Sequence, residues 1–97
     1  MKHGQSISVN FIGDKKSQEL NKQFRDKDYP TDVLSFNYEG RGIEGQDSNL
    51  LGEVFVNLEQ AKRQAKDFQN TVEEEVSELS AHGILHVLGV HHEGDDH

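Results

Sequence analysis

The 97-residue sequence contains no cysteine. That absence excludes a disulfide framework, a thiolate zinc site and a thiol nucleophile, and it leaves His, Asp and Glu to hold any metal. Long apolar runs are missing too. The longest are a handful of residues, too short to span a membrane, and the polar start MKHGQS lacks the apolar core of a signal peptide. The expectation is a cytoplasmic protein with no membrane partner. Basic residues are absent from the last third: all ten Lys and Arg lie within 1–66, while 67–97 carry eight of the eighteen acids. A net charge of -8 ordinarily argues against nucleic acid. Here the charge is polarised along the chain, and a cation bound among the acids would reverse the local sign. A composition 32% hydrophobic and 29% charged fits one small domain over residues 1–97. At that size a bound metal is a common source of stability.

What is present reads as alternating strands and helices. Ser6–Ile12 (SISVNFI) alternates apolar and polar residues, as a half-buried strand does. A helix is expected over Ser17–Arg25, with Leu20 and Phe24 one turn apart on one face. RDKDYP is a turn closed by Pro30, the only proline, and it feeds a second strand, Thr31–Tyr38. Glu39–Asn49, with three glycines and no core pattern, reads as a loop. A third strand runs over Leu51–Asn57. Asn57 is placed to cap a helix reaching about Gln69, with Gln60 at its third position and a stripe of Leu58, Ala61, Ala65 and Phe68. The last helix has the fullest signal: Thr71 and Glu74 form a capping box, and Glu73, Glu74 and Glu75 suit the positive end of the dipole. Val72, Val76, Leu79 and Gly83 share a face, and Gly89 ends the helix after about Leu88.

Within that helix and just beyond it lies HGILHVLGVHH, from His82 to His92. His82 and His86, four apart, project from one face, and Gly89 lets the chain turn so that His92 supplies a third imidazole. The spacing equals that of the metzincin motif HExxHxxGxxH. Three His ligands with an open fourth position suit catalytic Zn2+, one per chain, although other divalent transition metals accept the same donors. Glycine at 83 replaces the glutamate that serves as base in the protease motif, which argues against peptide hydrolysis by that route. Zinc alone lowers the pKa of its bound water to about 7, and a phosphodiester fits such a site if another group neutralises charge on the phosphate. His91 and His97 are secondary candidates, His3 reads as part of a terminus, and Glu93, Asp95 and Asp96 read as a solvated tail.

The motif resembles that of the YbeY family of bacterial endoribonucleases, HGxLHLxGYDH. His82, Gly83, Leu85, His86, Gly89 and His92 match it, while Val87, Val90 and His91 depart. LNKQFRDKDYPTDVLSF (Leu20–Phe36) resembles a second family segment through Arg25 and Pro30 to Phe36, with Asn37 replacing the usual proline, and LGEV (Leu51–Val54) resembles a third. Typical members are longer at both ends. The resemblance implies an α+β fold, zincin-like or metzincin-like, with a mixed sheet of three or four strands and the His motif on the C-terminal helix. It implies zinc-dependent endoribonuclease activity on single-stranded RNA in ribosomal RNA maturation and ribosome quality control, with the small ribosomal subunit or its proteins as partners. His82, His86 and His92 would bind the metal, and Arg25 would bind the scissile phosphate.

Plainer readings stand beside these. Arg25 can instead pair with Asp26 or Asp28, Ser35 can contact RNA or simply occupy its strand, and the run Lys62–Lys66 fits a solvated helix face. Asp32 fits a strand-end hydrogen bonder better than a general base. Two rival functions remain: another metallohydrolase, such as a peptidase with its base supplied from elsewhere, for which peptide cleavage by the natural chain and by Gly83→Glu is the test, and a zinc-stabilised ribosome-assembly module that binds RNA or protein without cutting.

Overall fold

The computed structural model describes residues 6–38 and 50–89. Six elements follow one another: β1 (Ser6–Ile12), α1 (Asp14–Arg25), β2 (Val33–Asn37), β3 (Leu50–Asn57), α2 (Leu58–Phe68) and α3 (Val72–Val87). The strands form one mixed sheet in the order β1-β3-β2, with β3 parallel to β1 and antiparallel to β2. This is the α+β architecture that the sequence implied. No helix among the described residues is long and apolar enough to cross a membrane.

The alternation in β1 sets its register. Ile7 stands opposite Gly52 and Val9 opposite Val54, and both pack on a core of Val33, Leu51, Val54, Val56, Ala61, Leu79 and Val87. Because side chains alternate across a strand, Leu34 and Phe36 of β2 point away from Val33, to the face that α1 covers. There Phe24 meets Phe36 edge-on.

α1 begins at Asp14, earlier than the expected Ser17, for a tertiary reason. Gly13 has no side chain to cap the helix, and the Glu59 carboxylate accepts the Asp14 N–H at 2.9 Å instead. Ser17 lies inside the helix and is buried. Its hydroxyl donates to the Thr31 carbonyl and accepts from the Thr31 N–H, both at 2.9 Å, which ties the turn before β2 to α1.

Asn57 caps α2 as expected, accepting from the N–H groups of Glu59 and Gln60. Gln60 does not reach back to it; its Oε1 accepts from Arg63 at 2.9 and 2.6 Å. Ala61 and Ala65 are buried, whereas Phe68, expected in the same stripe, is 65% exposed on the last turn. The capping box of α3 is complete, with Glu74 N–H donating to Thr71 Oγ1 at 3.1 Å and Thr71 N–H donating to Glu74 Oε1 at 2.8 Å. Beyond the helix, Gly89 has φ +85, the left-handed conformation expected of it.

Candidate active site

α3 carries the site, and two glycines let it lie close on the sheet. A methyl group on Gly83 would stand 2.5 Å from Val54 Cγ1, and one on Gly52 would stand 2.6 Å from Val87 Cγ1. Carbon atoms prefer about 3.5–4.0 Å, so both positions need the missing side chain. Gly83 therefore faces the sheet. A glutamate there would be driven into Val54 and Val33, and restoring the protease residue offers no route to a peptidase.

With that face against the sheet, His82 is half-buried and His86 buried at the edge of the same helix surface. Their Nε2 atoms are 3.1 Å apart, one ring donating and the other accepting. Two nitrogens on one tetrahedral zinc, each at about 2.0–2.1 Å, would be separated by roughly 3.3–3.4 Å. The pair thus fits a shared metal with only a small adjustment. Among the described residues no three His, Asp or Glu side chains converge on one point. The third expected ligand, His92, lies outside the described residues, as do Val90, His91, His97, His3, the acidic tail and the loop 39–49.

Asp32, Glu75, Glu78 and Leu79 line a small hollow of about 220 Å³ with His82. Asp32 is engaged at the strand end, where its Oδ1 accepts the Val33 N–H at 2.7 Å and its Oδ2 accepts from Gln64 Nε2 at 3.2 Å. That agrees with a structural role for Asp32. Sequence reasoning missed that Glu75 and Glu78 stand beside His82, although their spacing before it puts them on the same flank.

Arg25 and Ser35, which the resemblance assigned to substrate, meet directly: Arg25 Nη2 donates to the Ser35 carbonyl at 3.0 Å. The guanidinium also lies over the Phe36 ring, 5.9 Å from its centroid, and its Nε is buried with no hydrogen-bond partner. The salt bridge to Asp28 is made by Lys22 instead, at 3.9 Å. Arg63 is bound to Asp14 at 2.8 Å and holds its carboxyl below the usual carboxylate range, which leaves Lys62 and Lys66 as the solvated cations of that run.

A larger groove, about 880 Å³, is lined by Phe24, Arg25, Phe36, Asn37, Tyr38 and Phe55 among others. At one end Tyr38 Oη donates to Glu53 Oε1 at 2.8 Å, and burial, with Glu53 beside it, pushes the phenol pKa up to about 12. The preceding residue, Asn37, turns its side chain to the opposite face of the sheet, its Nδ2 donating to the Val87 carbonyl, next in sequence to His86. Proline at 37, usual in the resembled family, has no side-chain donor for this bond.

Comparison with known proteins agrees with the motifs. The family model described as Endoribonuclease YbeY matches residues 1–97. A protein of that description from Malacoplasma penetrans is 41% identical over 90 residues, 93% of this chain and 59% of that protein. One from Aquifex aeolicus is 45% identical over 87 residues, covering 90% and 56% respectively. The solution structure of a Thermotoga maritima protein aligns with a TM-score of 0.62 at 36% identity, over 95% of this chain and 57% of that one. The chain therefore spans less than two thirds of the length of these relatives.

Proposed function

This chain belongs to the YbeY family, and on that premise we propose that it is a zinc-dependent endoribonuclease that cuts single-stranded RNA during ribosomal RNA maturation and ribosome quality control. One observation carries the reading: the Nε2 atoms of His82 and His86 converge at 3.1 Å, at a spacing suited to two ligands of one tetrahedral ion. His82, His86 and His92 would hold the zinc. When bound, the ion supplies Lewis-acid polarisation of a phosphodiester oxygen and a more acidic water.

The chain's own residues do the rest. Burial of His86 and the packing of Gly83 and Val87 on the sheet fix how the imidazoles are presented. The acids beside His82 favour a cation there. Arg25, anchored through one Nη on the Ser35 carbonyl, keeps further N–H groups for a phosphate whose charge grows during cleavage. Ser35, from the same edge strand, contacts the RNA.

The test is cleavage of a single-stranded RNA oligonucleotide by the zinc-loaded protein, beside chelated protein and the His86→Ala and Arg25→Ala variants. Loss of cutting with chelator and with His86→Ala is expected, together with a fall of about a hundredfold or more with Arg25→Ala. A folded protein carrying one zinc that cuts no RNA would refute the proposal and favour the non-cleaving assembly module.

A further inference from the structure

The groove beside Arg25 is built from unusual parts for a protein surface. Phe24, Phe36 and Phe55 form a run of edge-on rings, with centroids 5.2 Å apart between the first two and 5.8 Å between the second and third. Phe24, on the last turn of α1, is 57% exposed. Nothing in the core requires it to be aromatic. Arg25 follows it directly, lies over Phe36, and among the described residues makes a single hydrogen bond, to a backbone carbonyl.

Those features select the occupant. An apolar protein segment laid in the groove would bury a guanidinium whose Nε already lacks a partner, at a desolvation cost that nothing repays. A polynucleotide offers both complements: a phosphate for the guanidinium, and bases with flat apolar faces for the rings. The groove volume, about 880 Å³, lies within the ~300–1,000 Å³ typical of small-molecule sites, enough for unstacked bases. Asn37, on β2, lines this groove and donates to the Val87 carbonyl of α3 on the other face of the sheet.

We infer that this groove is a base-stacking subsite: with a phosphate held at Arg25, an unpaired base of the same strand stacks against Phe24 within the groove closed by Phe36 and Phe55. The inference rests on the ribonuclease reading for its substrate and adds the reason for a single-strand requirement. A base can enter only if it has left its helix, so duplex RNA is excluded by geometry.

The experiment measures binding of a short single-stranded RNA, carrying one central 2-aminopurine, to the chelated full chain. Phe24→Ala should weaken binding about five- to 150-fold, the range for losing one stacked base, and Phe24→Tyr should restore it. Stacking should quench 2-aminopurine emission with wild type and Phe24→Tyr, and leave it bright with Phe24→Ala. An abasic site at the same position should weaken wild-type binding and leave Phe24→Ala binding unaffected. Equal affinity of wild type and Phe24→Ala, or indifference to the abasic site, overturns the inference. So does a change in oligomeric state with Phe24→Ala at unchanged RNA affinity, which would mark a face for a second copy of the chain. Zinc-dependent cleavage that ignores Phe24 removes the subsite and keeps the nuclease; base-dependent binding without cleavage removes the nuclease and keeps the subsite.

Discussion

Gly83→Ala tests whether α3 is held where it is by a missing side chain. Two effects oppose each other. Replacing a glycine inside a helix should stabilise it by about 1 kcal/mol. Against this, the new methyl would lie 2.5 Å from Val54 Cγ1 and 3.2 Å from Val33 Cγ2. Val54 has no exposed surface, belongs to the central strand and is stiff at χ1, so it cannot swing aside. Overpacking of this kind costs about 1–3 kcal/mol. The clash wins, and the variant should lose up to about 2 kcal/mol, with a melting temperature lower by roughly 4–8 °C for each kcal/mol.

The assay is urea unfolding of a double-mutant cycle with Val54→Ala, which removes the two Val54 methyl groups that the added side chain would meet and leaves only the 3.2 Å approach to Val33. On its own Val54→Ala destabilises by opening a cavity. In that background Gly83→Ala should become neutral or stabilising, because its helix propensity then faces only the milder contact with Val33. A coupling of about 1–3 kcal/mol between the two positions is the expected result. If Gly83→Ala proves equally destabilising in both backgrounds, or stabilising in the natural one, the close contact does not determine the helix position and the reasoning fails.

Two further outcomes follow from titratable groups. Tyr38 should ionise near pH 12 in the folded protein, read by tyrosinate absorbance, because burial and Glu53 favour the protonated phenol. Its folded pKa is raised, so the stability it contributes is complete below about pH 10 and disappears as pH rises toward 12; Tyr38→Phe should remove that part of the alkaline loss. Glu74 shows the opposite sign. Its carboxylate is held below its ordinary range by the Thr71 backbone N–H, and then by the Thr71 side chain. The stability it contributes is therefore present above its unfolded pKa and is lost as pH falls through the folded one, so Glu74→Gln should flatten the acid limb of a stability-against-pH curve, whereas Thr71→Ala, which keeps the backbone N–H, should cost about 1 kcal/mol through the lost side-chain cap. An unchanged acid limb would show that the capping box is too exposed to matter.

The features legible in the sequence were those fixed by neighbouring residues. The strand over Ser6–Ile12, the Asn57 cap and the Thr71–Glu74 box are local, and each stands where its neighbours put it, although Phe11, which shares a side of that strand with Ile7 and Val9, is 55% exposed. The early start of α1 was not legible, since its capping group, Glu59, belongs to α2. Nor was the exposure of Phe68: α2 ends at Gln69, which turns into the left-handed region at φ 59, before the stripe meets a partner. The Phe24–Phe36–Phe55 run draws on three elements, and only the register Leu34↔Phe55 brings its strand members together. Within the site, the His82–His86 pair was readable because both residues share one helix. Arg25 over Phe36 required knowing that α1 crosses β2.

Gly83 was readable and easily misread. An α-helix advances about 100° per residue, so counting from His82 places His86 about 40° around the axis and Gly83 about 100°. Val72, Leu79, Val76 and Val87 fall at roughly 80°, 60°, 120° and 140° on the same scale. Gly83 is thus at the centre of the apolar face and the histidines at its margin. In this fold that centre lies against the sheet, where a side chain at 83 would meet Val54 and Val33 and not a cleft. It is the point where the helix touches the sheet, and the contact with Val54 bears this out. The same count explains why His86 is buried and His82 only half so, since His86 is the nearer of the two to the buried centre. In this chain the two converging imidazoles flank a residue that packs on the sheet, so the proposed metal site and the core contact meet on adjacent residues.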